Sequence, residues 1–379
     1  MITKISNGII IGENETIKGK SLYAKDGMIT AVTNDELPFD KEIDAGGCYV
    51  SPGFIDLHLH GAMGNDFADG DVDAIIKAAN YHYSHGTTTM FPTTLSASYE
   101  MLRKALSAVA EAAVSKRMLP HIAGVHLEGP YFSKKQCGAQ NPDYITPPNE
   151  SEYLKLIDEF KGIIKRWSFA PELEGSVRFV ESLTENGIVS SIGHSDAKYE
   201  DVMSVYEKGC KLITHLYSCV STITREKGYR KLGIVECGYL YDDIVVEAIA
   251  DGHHIPKELF KMLYKIKGDD AVCLVTDAMS CCGIDAEESS IGGVPCKIKN
   301  GVACLMDESG FAGSIATADR LIRFCVNDVG IPIYSAVKMM TVNPAKVMGL
   351  EKKGILKEGY DADIVIFDED INIKEILVK

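Results

Sequence analysis

The chain has 379 residues, of which 46% are hydrophobic and 25% charged, a composition typical of a soluble globular protein with a sizeable buried core. Its formal net charge of -15 argues against nonspecific binding to nucleic acid or to anionic membranes. No signal-peptide core and no apolar run of membrane-spanning length occur, and the 11 cysteines include no Cys-x-x-Cys pair. We therefore expect a cytoplasmic protein with reduced thiols and neither a nucleic-acid nor a membrane partner.

The first 51 residues predict short strands separated by turns, with Lys25-Asp26-Gly27 as a hairpin turn between two of them. The predicted strands are Lys4–Ile11, Ser21–Ala24, Met28–Val32 and Cys48–Val50. A similar pattern returns near the other end of the chain, with an apolar run between Asp361 and Asp368 and a further strand from Ile371 to Val378. We expect residues 1–51 and 345–379 to pair into one small β-sandwich domain.

From residue 52 to residue 344, short apolar segments alternate with helix-period segments. One predicted helix spans Ser98–Arg117, and Asn149 can cap another that runs to Phe160. Eight strands are predicted: Phe54–His60, Thr87–Pro92, Ile122–Glu128, Arg166–Ala170, Ile188–His194, Leu212–His215, Val245–Asp251 and Val272–Asp277. Eight strands with intervening helices indicate a (β/α)8 TIM barrel. The alternative is a doubly wound open sheet, which would require a glycine-rich phosphate loop after its first strand, and the sequence has none there.

His58 and His60 stand at the end of the first predicted strand. Because side chains alternate faces along a strand, both imidazoles point the same way and can bind a divalent metal such as zinc; ordinary hydrogen bonding is the alternative. Other imidazoles and carboxylates end later predicted strands: Glu128, His194, His215 and Asp277. In a barrel of this type such strand ends meet at one mouth, so we expect the six donors to converge on a divalent metal.

The chain contains a series of motifs in a fixed order: Pro52-Gly53-Phe54-Ile55-Asp56-Leu57-His58-Leu59-His60-Gly61, Gly124-Val125-His126-Leu127-Glu128-Gly129-Pro130-Tyr131, Gly193-His194-Ser195, Thr214-His215-Leu216-Tyr217, Ala250-Asp251-Gly252-His253-His254 and Val275-Thr276-Asp277-Ala278. The first resembles the opening strand of the amidohydrolase superfamily. The others resemble the N-acetylglucosamine-6-phosphate deacetylases within that superfamily. The resemblance extends over essentially the whole chain, including the closing Gly-x-Asp-Ala-Asp-Ile-Val segment.

The resemblance implies metal-dependent deacetylation of N-acetylglucosamine 6-phosphate to glucosamine 6-phosphate and acetate, in amino-sugar catabolism. It implies Glu128, His194 and His215 as the principal metal ligands and Asp277 as the catalytic acid and base. Zinc is the expected ion, with Fe2+ as the alternative. Some family members lack the first His-x-His pair and use one ion, so this chain, which has His58 and His60, is expected to bind one or two.

The resemblance also implies substrate contacts. Arg225 and His254 align with the phosphate-binding cations of the family, which reach across a dimer interface, so a homodimer is expected. Further implied contacts are Ala139, Asp251, Phe311, Ala312 and Gly313.

Three departures from the family pattern touch substrate-facing positions: Gln140 replaces a histidine, Ser218-Cys219 replaces Asn-Ala, and the segment before Arg225 is about one residue shorter. They leave open two alternatives, an amidohydrolase that acts on another N-acyl amino sugar, with or without phosphate, or one that acts on a cyclic amide. A non-catalytic scaffold is a more remote alternative, because a scaffold has no need of metal donors at five strand ends.

Overall fold

The computed structural model describes residues 1–378, and its central feature is a set of strands that alternate with helices. The strands are β1 Phe54–Leu59, β2 Thr87–Pro92, β3 Val125–Glu128, β4 Ile164–Phe169, β5 Val189–Ile192, β6 Leu212–Ile213, β7 Val245–Ala248 and β8 Val272–Leu274. The helices between them are α1 Val72–Ser84, α2 Tyr99–Ala113, α3 Glu150–Glu159, α4 Ser176–Glu185, α5 Tyr199–Tyr206, α6 Ile234–Leu240 and α7 Lys257–Lys267. The fold is therefore mixed α/β, and each of the eight strands predicted between residues 52 and 344 is present, although several bounds differ.

Strands that are neighbours in the sequence are also hydrogen-bonded neighbours. β1 pairs with β2, and β3 to β8 form one sheet in sequence order, with every pair parallel. A parallel bridge joins Thr93, just beyond β2, to His126 in β3. The Asp277 N–H, beyond β8, donates to the His58 carbonyl in β1 at 2.8 Å. These strands form a half-barrel whose carboxyl ends lie on one side, without the reversal of strand order that a doubly wound sheet requires.

The helices pack their apolar faces against these strands. In α2, buried Leu102, Leu106 and Val109 recur at the predicted three- and four-residue spacing. The Ser98 hydroxyl accepts a hydrogen bond from the backbone N–H of Met101, so the helix begins one residue later than predicted. It also ends earlier, at Ala113.

Asn149 occupies the N-cap position of α3, but its side chain does not cap the helix. Its Oδ1 accepts a hydrogen bond from the Ser151 hydroxyl at 2.9 Å instead. The predicted helix start is therefore confirmed, whereas the predicted capping hydrogen bond is wrong.

Strands from both ends of the chain share a sheet, whose order is Ile373–Leu377, Ile364–Phe367, Tyr49–Pro52, Ile9–Ile11 and Thr16–Ile17. A second sheet has the order Met28–Thr33, Ser21–Lys25, Ile2–Ser6 and Lys41–Asp44. Side chains from the two sheets form one apolar cluster that includes Ile5, Leu22, Val50 and Ile364. The predicted hairpin turn is present, with Asp26 and Gly27 both at positive φ.

The predicted strand Lys4–Ile11 is wrong, because the chain forms two strands, Ile2–Ser6 and Ile9–Ile11, that lie in different sheets. Asn7 has φ 53° and turns the chain between them. At Gly8 an added Cβ would lie 2.4 Å from Val50 Cγ2, so this close packing requires glycine.

Beyond β8 the chain first forms an antiparallel meander of Glu288–Ile291, Val294–Lys299 and Val302–Leu305. The helices α8 Ala318–Arg323, α9 Ile333–Met340 and α10 Val342–Val347 follow, with a π-helical segment Phe324–Val329 after α8. Within residues 1–378, no helix is both long enough and apolar enough to cross a membrane.

Candidate metal centre and cavity

Six imidazole and carboxylate side chains meet at the carboxyl ends of the parallel strands. They are His58 and His60 at β1, Glu128 at β3, His194 after β5, His215 after β6 and Asp277 after β8. Each is at most 7% exposed. The structure thus brings together all six donors that the sequence analysis singled out.

Three of these donors have a left-handed backbone conformation: His194 at φ 45°, His215 at φ 30° and Asp277 at φ 48°. This conformation costs an ordinary residue about 1–2 kcal/mol, so it persists only where the surrounding structure imposes it. It also takes the chain out of the extended strand geometry. The predicted strands that continued to His194, His215 and Asp277 are therefore wrong at their ends, since the observed strands stop two or three residues earlier.

Glu128, His194 and His215 form one compact group of donors. Glu128 Oε1 lies 3.1 Å from Nε2 of His194 and 3.1 Å from Nε2 of His215. The two Nε2 atoms are 3.2 Å apart. All three donor atoms therefore face a common point.

His58, His60 and Asp277 form the second group. The Nε2 atoms of His58 and His60 are 3.3 Å apart, and Asp277 Oδ1 lies 3.5 Å and 3.1 Å from them. Glu128 lies between the groups, because its Oε1 is 3.4 Å from His58 Nε2 and its Oε2 is 3.4 Å from His60 Nε2.

These spacings fit a divalent cation. A tetrahedral zinc ion with Zn–N distances of about 2.0–2.1 Å separates its ligand atoms by about 3.3 Å, close to the observed distances within each group. Two unprotonated imidazole nitrogens that face each other repel, whereas a shared cation attracts both. The donor types, imidazole with carboxylate, also suit zinc or iron.

The electrostatics of the donors favour positive charge at this place. Burial acts to raise the pKa of Glu128, but the positive charge of His58 and hydrogen bonds from His194 and His215 hold it well below its usual value. Burial of Asp277 is likewise outweighed by His58 and His60, and its pKa is lowered. Burial lowers the pKa of His58, yet the carboxylates of Glu128 and Asp277 raise it to about 10. The carboxylates are thus ionised and available as ligands.

The second ring nitrogens of two histidines are hydrogen-bonded. His194 Nδ1 lies 2.9 Å from the carbonyl oxygen of Gln136, so Nδ1 carries the proton and Nε2 is free to bind an ion. His58 Nδ1 lies 3.4 Å from Glu247 Oε2. In the described part of the chain, Nδ1 of His60 and Nδ1 of His215 are buried without a hydrogen-bond partner.

Behind the donors lies a buried ion pair that sequence reasoning missed, formed by Arg166 of β4 and Glu247 of β7. Arg166 also donates to the Leu57 carbonyl at 3.2 Å and to the Thr214 hydroxyl at 3.0 Å. The His215 N–H donates to Glu247 Oε2 at 3.3 Å. Glu247 therefore contacts a donor of each group. The sequence did contain a signal for this pair, since Glu247 is a lone acid inside the apolar run Val245–Ala248 and a buried charge requires a partner.

The other histidines stay outside the two donor groups. His126 packs edge-on against His58, with ring centres 4.7 Å apart, and lies 2.6 Å from the Ser168 hydroxyl through Nε2. Burial, reinforced by the charge of Arg166, holds the pKa of His126 well below its usual value. His126 is therefore a neutral ring that packs against His58.

The donors open into a cavity of about 530 Å³. The predicted substrate residues on its wall are Ala139, Gln140, Ser218, Cys219, His254, Phe311 and Gly313. Two other predicted residues lie behind the wall. Ala312 is buried between two lining residues, Phe311 and Gly313. Asp251 Oδ2 is hydrogen-bonded to Nδ1 of His254 at 2.8 Å. Sequence reasoning missed part of the wall, namely Leu95, Gln136, Cys137, Gly138, Tyr217, Ile291, Leu305, Ser309 and Gly310.

Arg225 is not brought to this cavity within the chain. It lies on an exposed hairpin of Thr224–Glu226 and Tyr229–Lys231, opposite Arg230. The hairpin is basic in a protein of net charge -15. Arg225 is therefore not among the residues that line the cavity of its own chain.

The fold and the site together define an α/β protein with two adjoining groups of residues that can hold a divalent metal ion. Comparison with known proteins assigns a family. The family model described as "Amidohydrolase family" matches residues 49–379, and members of this superfamily use a divalent metal. The chain belongs to the amidohydrolase family.

One similar relative is the N-acetylglucosamine-6-phosphate deacetylase of Lysinibacillus sphaericus, 32% identical over 375 residues, which cover 98% of this chain and 95% of the relative. Among solved structures, the N-acetylglucosamine-6-phosphate deacetylase of Pasteurella multocida has a TM-score of 0.93 at 27% identity, covering 100% of this chain and 98% of that one. A mutant of the Mycobacterium smegmatis enzyme in complex with N-acetyl-D-glucosamine 6-phosphate has a TM-score of 0.91 at 27% identity, with coverage of 100% and 97%.

Proposed function

We propose that this chain is a metal-dependent deacetylase that hydrolyses N-acetylglucosamine 6-phosphate to glucosamine 6-phosphate and acetate. The observation that carries the proposal is the buried group Glu128, His194 and His215, whose donor atoms lie 3.1–3.2 Å apart at the cavity floor. The similarity to deacetylases over 98% of the chain supports the choice of reaction.

We assign Glu128, His194 and His215 to a principal ion, and His58 and His60 with Asp277 to a second position. Zinc is the proposed ion, with Fe2+ as the alternative, because imidazole and carboxylate ligands suit both. A bound divalent cation supplies Lewis acidity, which lowers the pKa of water and polarises a carbonyl oxygen.

Asp277 is the proposed catalytic acid and base. It lies on the cavity wall and its lowered pKa keeps it ionised, so it can accept a proton from the attacking water. Once protonated, the same carboxyl can donate that proton to the amide nitrogen as the C–N bond breaks. The products are then the free amine of the sugar and acetate.

The remaining cavity residues are proposed to hold the sugar phosphate. Asp251 accepts from the backbone N–H of His254 at 2.8 Å and holds its Nδ1, which fixes the imidazole at the cavity wall. We assign His254 to the phosphate and Phe311, whose ring centre lies 4.8 Å from that of His254, to the sugar face. Backbone and small side chains complete this wall, namely Ala139, Ser218, Cys219 and Gly313, with Ala312 buried behind it.

We further propose a cytoplasmic homodimer in which the partner's hairpin completes the phosphate site. Arg225 is exposed and away from the cavity of its own chain, which is the placement expected of a residue that acts on a neighbouring subunit. An arginine can bind a phosphate through two parallel hydrogen bonds.

We propose a closed eight-stranded barrel for residues 52–344, supported by the Thr93–His126 bridge and the Asp277–His58 hydrogen bond. We assign residues 1–51 and 345–379 to a small β-sandwich domain. Its support is the sheet that strands from both termini share and the apolar cluster between the two terminal sheets.

The test is acetate release by purified protein loaded with zinc or iron. We expect N-acetylglucosamine 6-phosphate to be hydrolysed at least tenfold more efficiently, by kcat/KM, than unphosphorylated N-acetylglucosamine, since the phosphate adds charge-assisted contacts. If a metal-loaded sample releases no acetate from N-acetylglucosamine 6-phosphate, the substrate assignment is wrong. Parallel assays with N-acetylgalactosamine 6-phosphate and a cyclic amide cover the alternatives that Gln140 and Ser218-Cys219 leave open. A protein that binds no metal and hydrolyses nothing would be a scaffold.

A further inference from the structure

We infer that Gln140 is a positioning residue for the metal carboxylate Glu128, rather than a contact for the substrate. The inference rests on the proposed role of Glu128 as a metal ligand but not on the identity of the substrate. Gln140 is 4% exposed and lines the cavity beside the donors. Its position on the wall alone suggests a substrate contact, but its hydrogen bonds indicate a different role.

The orientation of the Gln140 amide is set by its surroundings. The backbone N–H of Ser96 lies 2.7 Å from the side-chain oxygen of Gln140. A backbone N–H can only donate, so the atom that it meets must be the amide oxygen. The NH2 group of Gln140 therefore points the other way, toward Glu128.

There the amide nitrogen donates to Glu128 Oε2 at 2.7 Å. The other carboxylate oxygen, Oε1, faces His194 and His215 at 3.1 Å. Oε1 of Glu128 thus faces the principal ion position, whereas Oε2 accepts from the Gln140 amide and lies 3.4 Å from His60 Nε2 of the other group. The hydrogen bond to Oε2 fixes the carboxylate of Glu128 in one orientation, with Oε1 directed at the ion position. The side chain therefore loses less conformational entropy when an ion binds.

The segment Ser133–Gln140 holds His194 as well. The carbonyl of Gln136 accepts from His194 Nδ1, and the Ser133 N–H donates to the His194 carbonyl, both at 2.9 Å. One short segment therefore orients two of the three ligands of the principal ion position. In this segment, Gln140 is the residue whose side chain acts on the carboxylate.

A histidine, the residue that the family pattern has at this position, can take up a proton, whereas an amide is neutral at every working pH. Gln140 can therefore hold Glu128 without adding positive charge near the ion. One hydrogen of its NH2 group is donated to Glu128 Oε2 and its oxygen accepts from Ser96, so Gln140 leaves Glu128 Oε1 and the Nε2 atoms of His194 and His215 free to face the ion.

The experiment measures zinc affinity of the metal-free full chain by competition with a chromogenic chelator. Gln140→Ala removes the amide, and Gln140→Met removes its hydrogen bonds while keeping most of its volume. The matched control is Asn141→Ala, the same substitution of an amide side chain at the next residue. Within residues 1–378, the Asn141 side chain accepts a hydrogen bond only from the Asp143 N–H, at 3.0 Å, and belongs to neither donor group. Thermal unfolding of each metal-free variant checks that it is folded.

We expect both Gln140 variants to bind zinc about 10–100-fold more weakly, the usual consequence of losing a partner of a metal ligand. Asn141→Ala should stay within about threefold of the wild type. At saturating zinc, KM for the substrate should change less than about threefold in the Gln140 variants, because the residue acts through Glu128.

Unchanged zinc affinity in the folded Gln140 variants, or an equal loss in Asn141→Ala, would overturn the inference. A raised KM with unchanged zinc affinity would show that Gln140 contacts the substrate instead. The variant Glu128→Gln distinguishes failure of this inference from failure of the proposed function. If its zinc affinity equals that of the wild type, Glu128 is not a metal ligand and the proposed function fails as well.

Discussion

The two donor groups that share Glu128 are supported by different parts of the molecule. In the group His58, His60 and Asp277, the His58 ring contacts the buried Arg166–Glu247 pair inside the strands. In the group Glu128, His194 and His215, the pair contacts the backbone N–H of His215, whereas the side chains of His194 and Glu128 are held by the segment Ser133–Gln140 at the cavity wall. The His58 side chain is therefore tied to the strand core, and the side chains of His194 and Glu128 to a cavity segment. Substitutions that separate stability from metal binding can test this difference.

The largest effect is expected from Glu128→Gln, because Glu128 contributes to both groups. Loss of its charge should release the ions from both positions and lower kcat/KM by at least about 10,000-fold, since the Lewis acid supplies several kcal/mol of transition-state stabilisation. Metal analysis and acetate release on one sample measure both consequences. A fully active variant would show that Glu128 joins neither group.

Asp277→Asn should lower kcat by about 100- to 10,000-fold, because the amide cannot accept or return a proton. The group Glu128, His194 and His215 is left intact, so at least one ion should remain bound. Single-turnover acetate release with metal analysis tests the prediction. Retention of kcat would assign the proton transfers to another group.

Glu247→Gln should lower the free energy of unfolding by about 3–5 kcal/mol, because it leaves the buried guanidinium of Arg166 without a counter-charge. Denaturant unfolding of the metal-free protein measures the loss. The matched control is Glu226→Gln, which breaks the exposed pair with Lys198 and should leave the unfolding midpoint unchanged. Equal midpoints for the two variants would remove the distinction between the buried pair and a surface pair.

Arg225→Ala should have the smallest effect, a rise of about tenfold in KM for the phosphorylated substrate, the value of one charge-assisted hydrogen bond. Zinc affinity should not change, because Arg225 is remote from both groups in its own chain. Arg230→Ala, opposite it on the hairpin, is the control. A monomeric protein whose KM is insensitive to Arg225 would contradict the proposed role of the partner hairpin.

Much of the fold could be predicted because its signals are local. Apolar segments of strand length alternate with segments of helical period, and the Asp26-Gly27 turn has its own signature. The strand ends were less predictable. His194, His215 and Asp277 lie in left-handed conformations that their apolar neighbours do not reveal, and Asn7-Gly8 breaks a run that looks continuous.

The residue pattern alone indicates which side chains could bind an ion and that they lie at or just beyond the ends of five of the eight parallel strands, because strand alternation and parallel order are local signals. The polar groups that stand behind these donors are set by the fold. Arg166 and Glu247 are 81 residues apart, and Gln140 is 44 residues from Ser96. Such pairings depend on where distant strands and loops meet, and a buried charge or amide takes its role from the partner that the fold brings within hydrogen-bonding distance.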